Sequence, residues 1–306
     1  MSISLVSTLY KSAPFLDEFV ARCLALMRID DELILVDDGS PDNSLSMARQ
    51  HAARDSRIVV VQLARNFGHH RAILAGLSQA RGERVFLVDS DLEEAPELLT
   101  EFASVMDASS ADVIFGVHDH SHGSLLRKAS SRLFWRMFNW ASDSATPLNI
   151  CNVRLMNRRY VDALVSLPEA NVFLGGMFHW VGFKQIAIQI ERQSRRSKST
   201  YSIAARLSLA ARSIVSFSTA PLKAMFLLGI VMSIVSSAVA VYFFVLRMLD
   251  PEIQLGFTSL IISIWFLSGA IIACLGVLGI YLAYVYTETK RRPRVIVKEI
   301  FKGNGQ

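Results

Sequence analysis

The chain predicts an α/β fold, a mostly parallel sheet with helices on both faces, followed by two long apolar helices. Three observations carry that reading. Short runs rich in β-branched residues alternate with helical patterns through the first third of the chain. The two acidic motifs of that region fall where strands are expected to end. In the last third, residues 224–246 and 253–286 contain no charged residue.

The elements follow in order. Strands are expected at 3–8, 32–37, 57–63, 84–88 and 112–115, each bounded by polar residues. Between them lie helical patterns at 14–27, 41–54, 66–80 and 95–106, with Pro41 and Pro96 marking first turns. Residues 121–140 set Leu125, Leu126, Leu133 and Phe134 against Arg127, Lys128, Arg132 and Arg136, which suits a core-facing or an interfacial helix. Residues 203–217, with Ile203, Leu207, Ile214 and Phe217 on one side, lead into the first apolar stretch and read as an interfacial helix. A bilayer core of about 30 Å needs roughly 20 apolar residues, so both apolar stretches are long enough to cross. The second should tilt or project. The expected organisation is a catalytic domain at 1–190, a basic interfacial segment at 191–220, two spans within 221–286 joined by a short loop at 247–256, and a basic tail at 287–306.

The formal charge of +5 on 306 residues is concentrated in two places. Arg192, Arg195, Arg196, Lys198, Arg206 and Arg212 precede the first span, and Lys290, Arg291, Arg292 and Arg294 follow the second. Basic clusters flanking spans set topology and touch anionic lipid, a better account than nucleic-acid binding. With a nearly neutral loop between the spans, both termini are expected in the cytoplasm, at a bacterial inner membrane. Residues 1–10 do not read as a signal peptide. Cys23, Cys151 and Cys274 are scattered, fit a reducing compartment and form no metal-ligand spacing.

The chemistry-bearing residues sit at strand ends. Asp89-Ser90-Asp91 offers carboxylate oxygens to a hard divalent cation, which typically binds one or two carboxylates together with substrate phosphates. Asp37-Asp38-Gly39-Ser40, taken alone, reads equally as a turn and helix cap. Arg65-Asn66-Phe67-Gly68 follows the third strand, and His69 and His70 read as packing or surface residues.

In this order and spacing the motifs resemble family 2 glycosyltransferases of the GT-A fold, and within them the membrane-anchored polyprenyl-phosphate sugar transferases. Val153-Arg154-Leu155-Met156, Val181-Gly182-Phe183-Lys184-Gln185, Ser197-Lys198-Ser199-Thr200-Tyr201 and Ser216-Phe217-Ser218 extend the likeness toward the membrane. The resemblance implies an inverting transfer from a nucleotide diphosphate sugar to a polyprenyl phosphate, with Mg²⁺ or Mn²⁺ as cofactor. It implies a nucleotide-sugar pocket of Thr8, Leu9, Tyr10, Asp37, Asp38, Arg65, Asn66, Asp89 and Ser90, with Asp89 and Asp91 on the metal. Arg154, Arg195, Arg196 and Lys198 would face the acceptor phosphate, as suits charge-assisted contacts from basic side chains. Many relatives carry an Asp as base where this chain has Asn152; Asp143 and Glu169 are the substitute candidates. An acceptor phosphate is already anionic and needs little deprotonation, so Asn152 favours it over a sugar hydroxyl. The rival readings are transfer to a hydroxyl of a lipid-linked glycan and a non-catalytic membrane scaffold that keeps the fold. Gly229, Ser233 and Ser237, with Gly269, Ala273, Gly276 and Gly279, are expected to let the spans pair with each other or with a second copy.

Overall fold

The computed structural model describes residues 1–118, 150–170, 172–190, 220–249 and 257–303. The amphipathic segments at 121–140 and 203–217, together with Asp143, Arg195, Arg196 and Lys198, lie outside them. The chain divides into two units. The first holds residues 1–135, 144–201 and 291–306; the second holds 136–143 and 202–290.

The first unit is built on eight strands: β1 (Ile3–Leu9), β2 (Glu32–Asp37), β3 (Ile58–Leu63), β4 (Arg84–Leu87), β5 (Val113–His118), β6 (Ile150–Asn157), β7 (Gln185–Ile190) and β8 (Val297–Lys302). They form one sheet in the order β7-β5-β6-β4-β1-β2-β3-β8. β1 pairs in parallel with β2 and β4, β2 with β3, and β5 with β7. β6 runs against β4 and β5, and β8 runs against β3. The parallel strands read as apolar runs because both their faces are covered; β2 is buried from Leu33 to Asp37.

The helices are α1 (Ala13–Leu26), α2 (Ser44–Arg54), α3 (His69–Gln79), α4 (Leu98–Ser109), α5 (Arg158–Ser166) and α6 (Leu174–Trp180). α1, α2 and α4 bury Leu16, Phe19, Ala48, Phe102 and Met106 against one face of the sheet. α3, α5 and α6 bury Ile73, Leu77, Tyr160, Leu164 and Met177 against the other. Phe86 of β4 meets Phe102 of α4 edge-on, with centroids 6.2 Å apart and both rings fully buried. Truncating either would cost about 3–5 kcal/mol through the cavity left behind. α3 approaches β1 and β2 at Gly76, where an added Cβ would lie 2.5 Å from Val6 Cγ1 and 2.9 Å from Val36 Cγ2. Only glycine lets the helix lie so close. α5 starts at Asn157, whose side chain accepts from Tyr160 N at 2.8 Å.

Three helices begin later than the periodicity suggests, α2, α3 and α4 (at Leu98), the first two for one reason. Residues 41–43 precede α2 because Asp42 accepts from Ala13 N, Ser40 Oγ, Ser44 N and Ser44 Oγ. Residues 66–68 precede α3 because Phe67 N and Gly68 N donate to Asp38. In both cases local side-chain acceptors compete with the first helical turn.

β8 is a strand within the segment expected as a basic tail. Val61 faces Ile300, Ala64 N donates to Ile296 O at 2.8 Å, and Arg49 bridges Glu299 and lies over the Phe301 ring. A Cβ on Gly303 would collide with Ala52 O, so the chain closes down on α2 there. Just before the strand, Arg294 donates to Glu169 O at 3.0 Å and Val165 O at 3.2 Å.

The second unit contains α7 (Ala220–Leu249) and α8 (Phe257–Thr289). Among the described residues, Ser263–Thr289 of α8 is the one stretch long and apolar enough to cross a membrane; Ala224–Val239 of α7 is apolar but shorter. Both helices expose large apolar side chains, with Phe226 73% and Trp265 78% accessible. A Cβ at Gly229, Gly269, Gly276 or Gly279 would meet nothing within 4 Å. The expectation that these glycines form the seam between the two helices is therefore not met.

Candidate functional site

The acidic motifs meet at the carboxyl ends of β1, β2 and β4, where open α/β sheets carry their ligands. At the end of β2, Asp37 and Asp38 are both buried. Asp37 Oδ1 accepts from Ser40 N at 3.3 Å, and burial pushes its carboxyl up to about 6. Asp38 binds the loop after β3, with Phe67 N on Oδ1 at 2.7 Å and Gly68 N on Oδ2 at 2.9 Å. Burial raises its pKa, and those two amides work against the rise. Between the two loops stands Gly39 at φ +63°, where a Cβ would lie 2.6 Å from Asn66 N. Arg65 of the same loop stacks on Phe67, with its guanidinium carbon 4.2 Å from the ring centroid.

β1 ends in Thr8 and Leu9, followed by an exposed Tyr10 and by Lys11 at φ +58°. Lys11 N donates to Ser40 Oγ at 2.8 Å, and Asp38 N donates to Leu9 O at 3.1 Å. Ser90, buried, donates to Thr8 O at 2.9 Å and meets Ser12 Oγ at 2.9 Å. This fastens the Asp89-Ser90-Asp91 turn to β1. Asp91 Oδ1 accepts from Glu93 N at 3.0 Å. Burial lifts Asp91 to about 6, partly offset by that amide, and Asp89, Glu93 and Glu94 add to the rise. Asp89 Oδ2 accepts from Asn152 Nδ2 at 3.1 Å, whereas Asp89 Oδ1 is buried without a hydrogen-bond partner among the described residues.

β6, the antiparallel neighbour of β4, brings Asn152 beside the Asp89 turn. Two residues on, Arg154 is 1% exposed and lies flat on Phe178, 3.2 Å from the ring centroid. It donates to Asn152 O and Cys151 O, each at 3.0 Å. Burial lowers its pKa to about 10. The guanidinium thus supports the strand end that carries Asn152; the resemblance implied a contact to the acceptor phosphate for it. Glu169 lies on the loop between α5 and α6, where its carbonyl is held by Arg294. The next carbonyls of that loop accept from α3: Ala170 O from Arg71 at 2.9 Å and Val172 O from the His70 ring at 3.4 Å.

His69, read from the sequence as packing or surface, belongs to the site. Its ring touches Thr8 Oγ1 at 3.0 Å and Asn152 Nδ2 at 3.0 Å, and it comes within 3.6 Å of Asp89 Oδ1. The available signal was positional: it opens a helix directly after Gly68, the last residue of the loop that follows β3. Among the described residues no cluster of three or more His, Cys, Asp or Glu side chains surrounds a metal position. The two carboxylates of the Asp89-Ser90-Asp91 turn would need substrate oxygens to complete a shell.

The model of the glycosyl transferase family 2 matches residues 4–164, from β1 through α5. The chain belongs to that family. A Mycobacterium tuberculosis (strain CDC 1551 / Oshkosh) protein named as a glycosyltransferase is 38% identical over 98% of this chain and 89% of its own length. The prophage bactoprenol glucosyl transferase homolog of Escherichia coli (strain K12) is 30% identical over 99% of this chain and 100% of its own. Among solved structures, glucosyl-3-phosphoglycerate synthase from Mycobacterium tuberculosis, in complex with phosphoglyceric acid, superposes with a TM-score of 0.50 at 19% identity. The match covers 70% of this chain and 79% of that one, and the shared feature is the GT-A-like mixed sheet. This family 2 glycosyltransferase therefore carries its strand-end carboxylates on the expected scaffold.

Proposed function

We propose that this glycosyltransferase moves a sugar from a nucleotide diphosphate sugar to a polyprenyl phosphate at the cytoplasmic face of a membrane. The observation that carries the reading is the alignment with the bactoprenol glucosyl transferase homolog, which runs through both apolar helices as well as the catalytic sheet. In support, α7 and α8 expose apolar side chains along their length, as helices surrounded by lipid do. The domain boundaries expected from the sequence and two membrane crossings are part of this proposal.

In the proposed reaction an acceptor phosphate oxygen attacks the anomeric carbon in line, the bond to the nucleotide diphosphate breaks, and the configuration inverts. The attacking oxygen is anionic near neutral pH, so no side chain has to take its proton. Asn152 suits this acceptor, since an amide donating to Asp89 offers no basic oxygen pair to a hydroxyl. Tyr10, Asp37, Asp38, Arg65 and Asn66 form the nucleotide side of the pocket, with Thr8, Leu9 and Ser90 as its floor. Arg195, Arg196 and Lys198 are proposed to meet the lipid phosphate.

Asp89 and Asp91 fit Mg²⁺ or Mn²⁺. Among the described residues Asp89 Oδ1 is buried without a donor, and the pKa of Asp91 is raised by burial and neighbouring carboxylates; a dication relieves both conditions. When bound, it would neutralise charge developing on the leaving diphosphate. The test is donor turnover across a panel of nucleotide sugars, in vesicles with and without polyprenyl phosphate. Radiolabel transferred to lipid only when polyprenyl phosphate is present supports the reading. Turnover that requires a lipid-linked glycan instead would replace it.

A further inference from the structure

We infer that His69 is a positioning residue of the transfer site, acting through Asn152 to orient Asp89 toward the divalent cation. The inference rests on the metal role proposed above for Asp89. Its basis is the order of donors and acceptors around one ring. Asp89 Oδ2 can only accept when ionised, so the Asn152 atom 3.1 Å away is its amide nitrogen. That nitrogen carries two hydrogens, and its second contact is the His69 ring at 3.0 Å through Nε2. Nε2 must then be the accepting nitrogen, and the ring proton sits on Nδ1. Nδ1–H points at Thr8 Oγ1, 3.0 Å away, which accepts it. The 3.6 Å approach of Nε2 to Asp89 Oδ1 is accordingly no ion pair in this tautomer. That agrees with Asp89 Oδ1 standing without a hydrogen-bond donor among the described residues.

The chain Thr8–His69–Asn152–Asp89 therefore joins the ends of β1, β4 and β6 and the first turn of α3. It holds one carboxylate oxygen and leaves the other open. An Asp in place of Asn152 could not donate to Asp89, and its charge would oppose the neighbouring carboxylate. The pair of Asn152 with a neutral His69 is one device; neither residue does the work alone. Groups that orient a metal-binding side chain commonly change metal affinity by about 10- to 100-fold when removed.

The test uses the full chain in detergent, with Mn²⁺ binding measured in the presence of saturating UDP and melting temperature recorded for each variant. Binding is read below each variant's own transition. H69A and N152A are each expected to weaken Mn²⁺ binding by about 10- to 100-fold. The double variant should be no weaker than the worse single one, because both changes break the same chain. T8V, which removes only the hydroxyl that accepts from the ring, should weaken it about fivefold, the loss of one hydrogen bond. Additive losses in the double variant would overturn the inference. So would H69A with wild-type Mn²⁺ affinity, whether or not its melting temperature falls, provided D89N has lost that affinity. If D89N itself binds Mn²⁺ like the wild type, it is the metal reading that fails.

Discussion

Asp38→Ala separates a clamp from a ligand contact. The Asp38 carboxylate takes the main-chain amides of Phe67 and Gly68 and so ties the end of β2 to the loop that starts α3. Hydrogen bonds to a charged group contribute about 1.5–3 kcal/mol each, and removing the acceptor strands both amides. Against this stands the cost of holding that carboxylate ionised in a buried place, visible as its raised pKa. The net loss should be about 2–4 kcal/mol. For a catalytic unit of this size each kcal/mol moves the midpoint by about 2–4 °C, so the variant should melt roughly 10 °C lower. Asp38→Asn keeps one acceptor and should lose about half as much. The assay is thermal unfolding of the full chain in detergent, followed by near-UV circular dichroism, with donor binding measured on the folded protein. If Asp38→Ala melts like the wild type yet loses donor affinity, the carboxylate contacts the nucleotide and the clamp is wrong.

Four further outcomes are expected. Asp37 titrates near 6 when folded against an ordinary 3.8, so its ionised form is disfavoured by folding. Its contribution to stability is full below about 4 and is lost as pH rises through about 6. Asp37→Asn should therefore gain on the wild type between pH 4 and 7, by at most about 3 kcal/mol, in parallel melts. Gly39→Ala adds a Cβ 2.6 Å from Asn66 N at a positive φ. It should destabilise by more than about 2 kcal/mol and weaken donor binding, read by melting and titration. Arg294→Ala frees Glu169 O and Val165 O, and limited proteolysis should cut residues 167–173 faster than in the wild type. Asp91→Asn should abolish metal-stimulated transfer with no loss of melting temperature, checked by activity across a Mn²⁺ series and parallel melts.

What could be read from the sequence was the part whose partners are near in the chain or whose burial is two-sided. β1 to β4 are largely apolar runs because both faces are covered, and the acidic motifs at the carboxyl ends of β2 and β4 pointed to the candidate site together with the family resemblance. β8 could not be read that way. Val-Lys-Glu-Ile-Phe-Lys is an exposed edge with charges on both faces, and its partner β3 lies more than two hundred residues earlier. β6 was seen only as a motif, since its antiparallel insertion between β4 and β5 depends on pairings that no local pattern encodes. Arg154 was given a phosphate role by the family resemblance. Its place beneath Phe178 follows from the register of β6, which the sequence does not display. His69 was missed for the same reason: its importance lies in Asn152, eighty-three positions away.

The pairing of β8 with β3 also settles a matter of parity. The chain departs from the sheet at Ile190, after β7, and rejoins it at Val297. Both ends of the intervening loop are therefore held in one sheet. Such a loop can pass through a bilayer and return, or stay on one side, but it cannot end on the opposite side while β8 remains hydrogen-bonded. If α8 crosses, an odd count is forbidden, and the shorter apolar stretch Ala224–Val239 is the segment left to make the return. On the proposed topology, sidedness would then be enforced by backbone hydrogen bonds as well as by flanking charge. Removing basic residues around the helices should leave the two ends of the excursion together, whereas deleting residues 297–303 would remove that constraint.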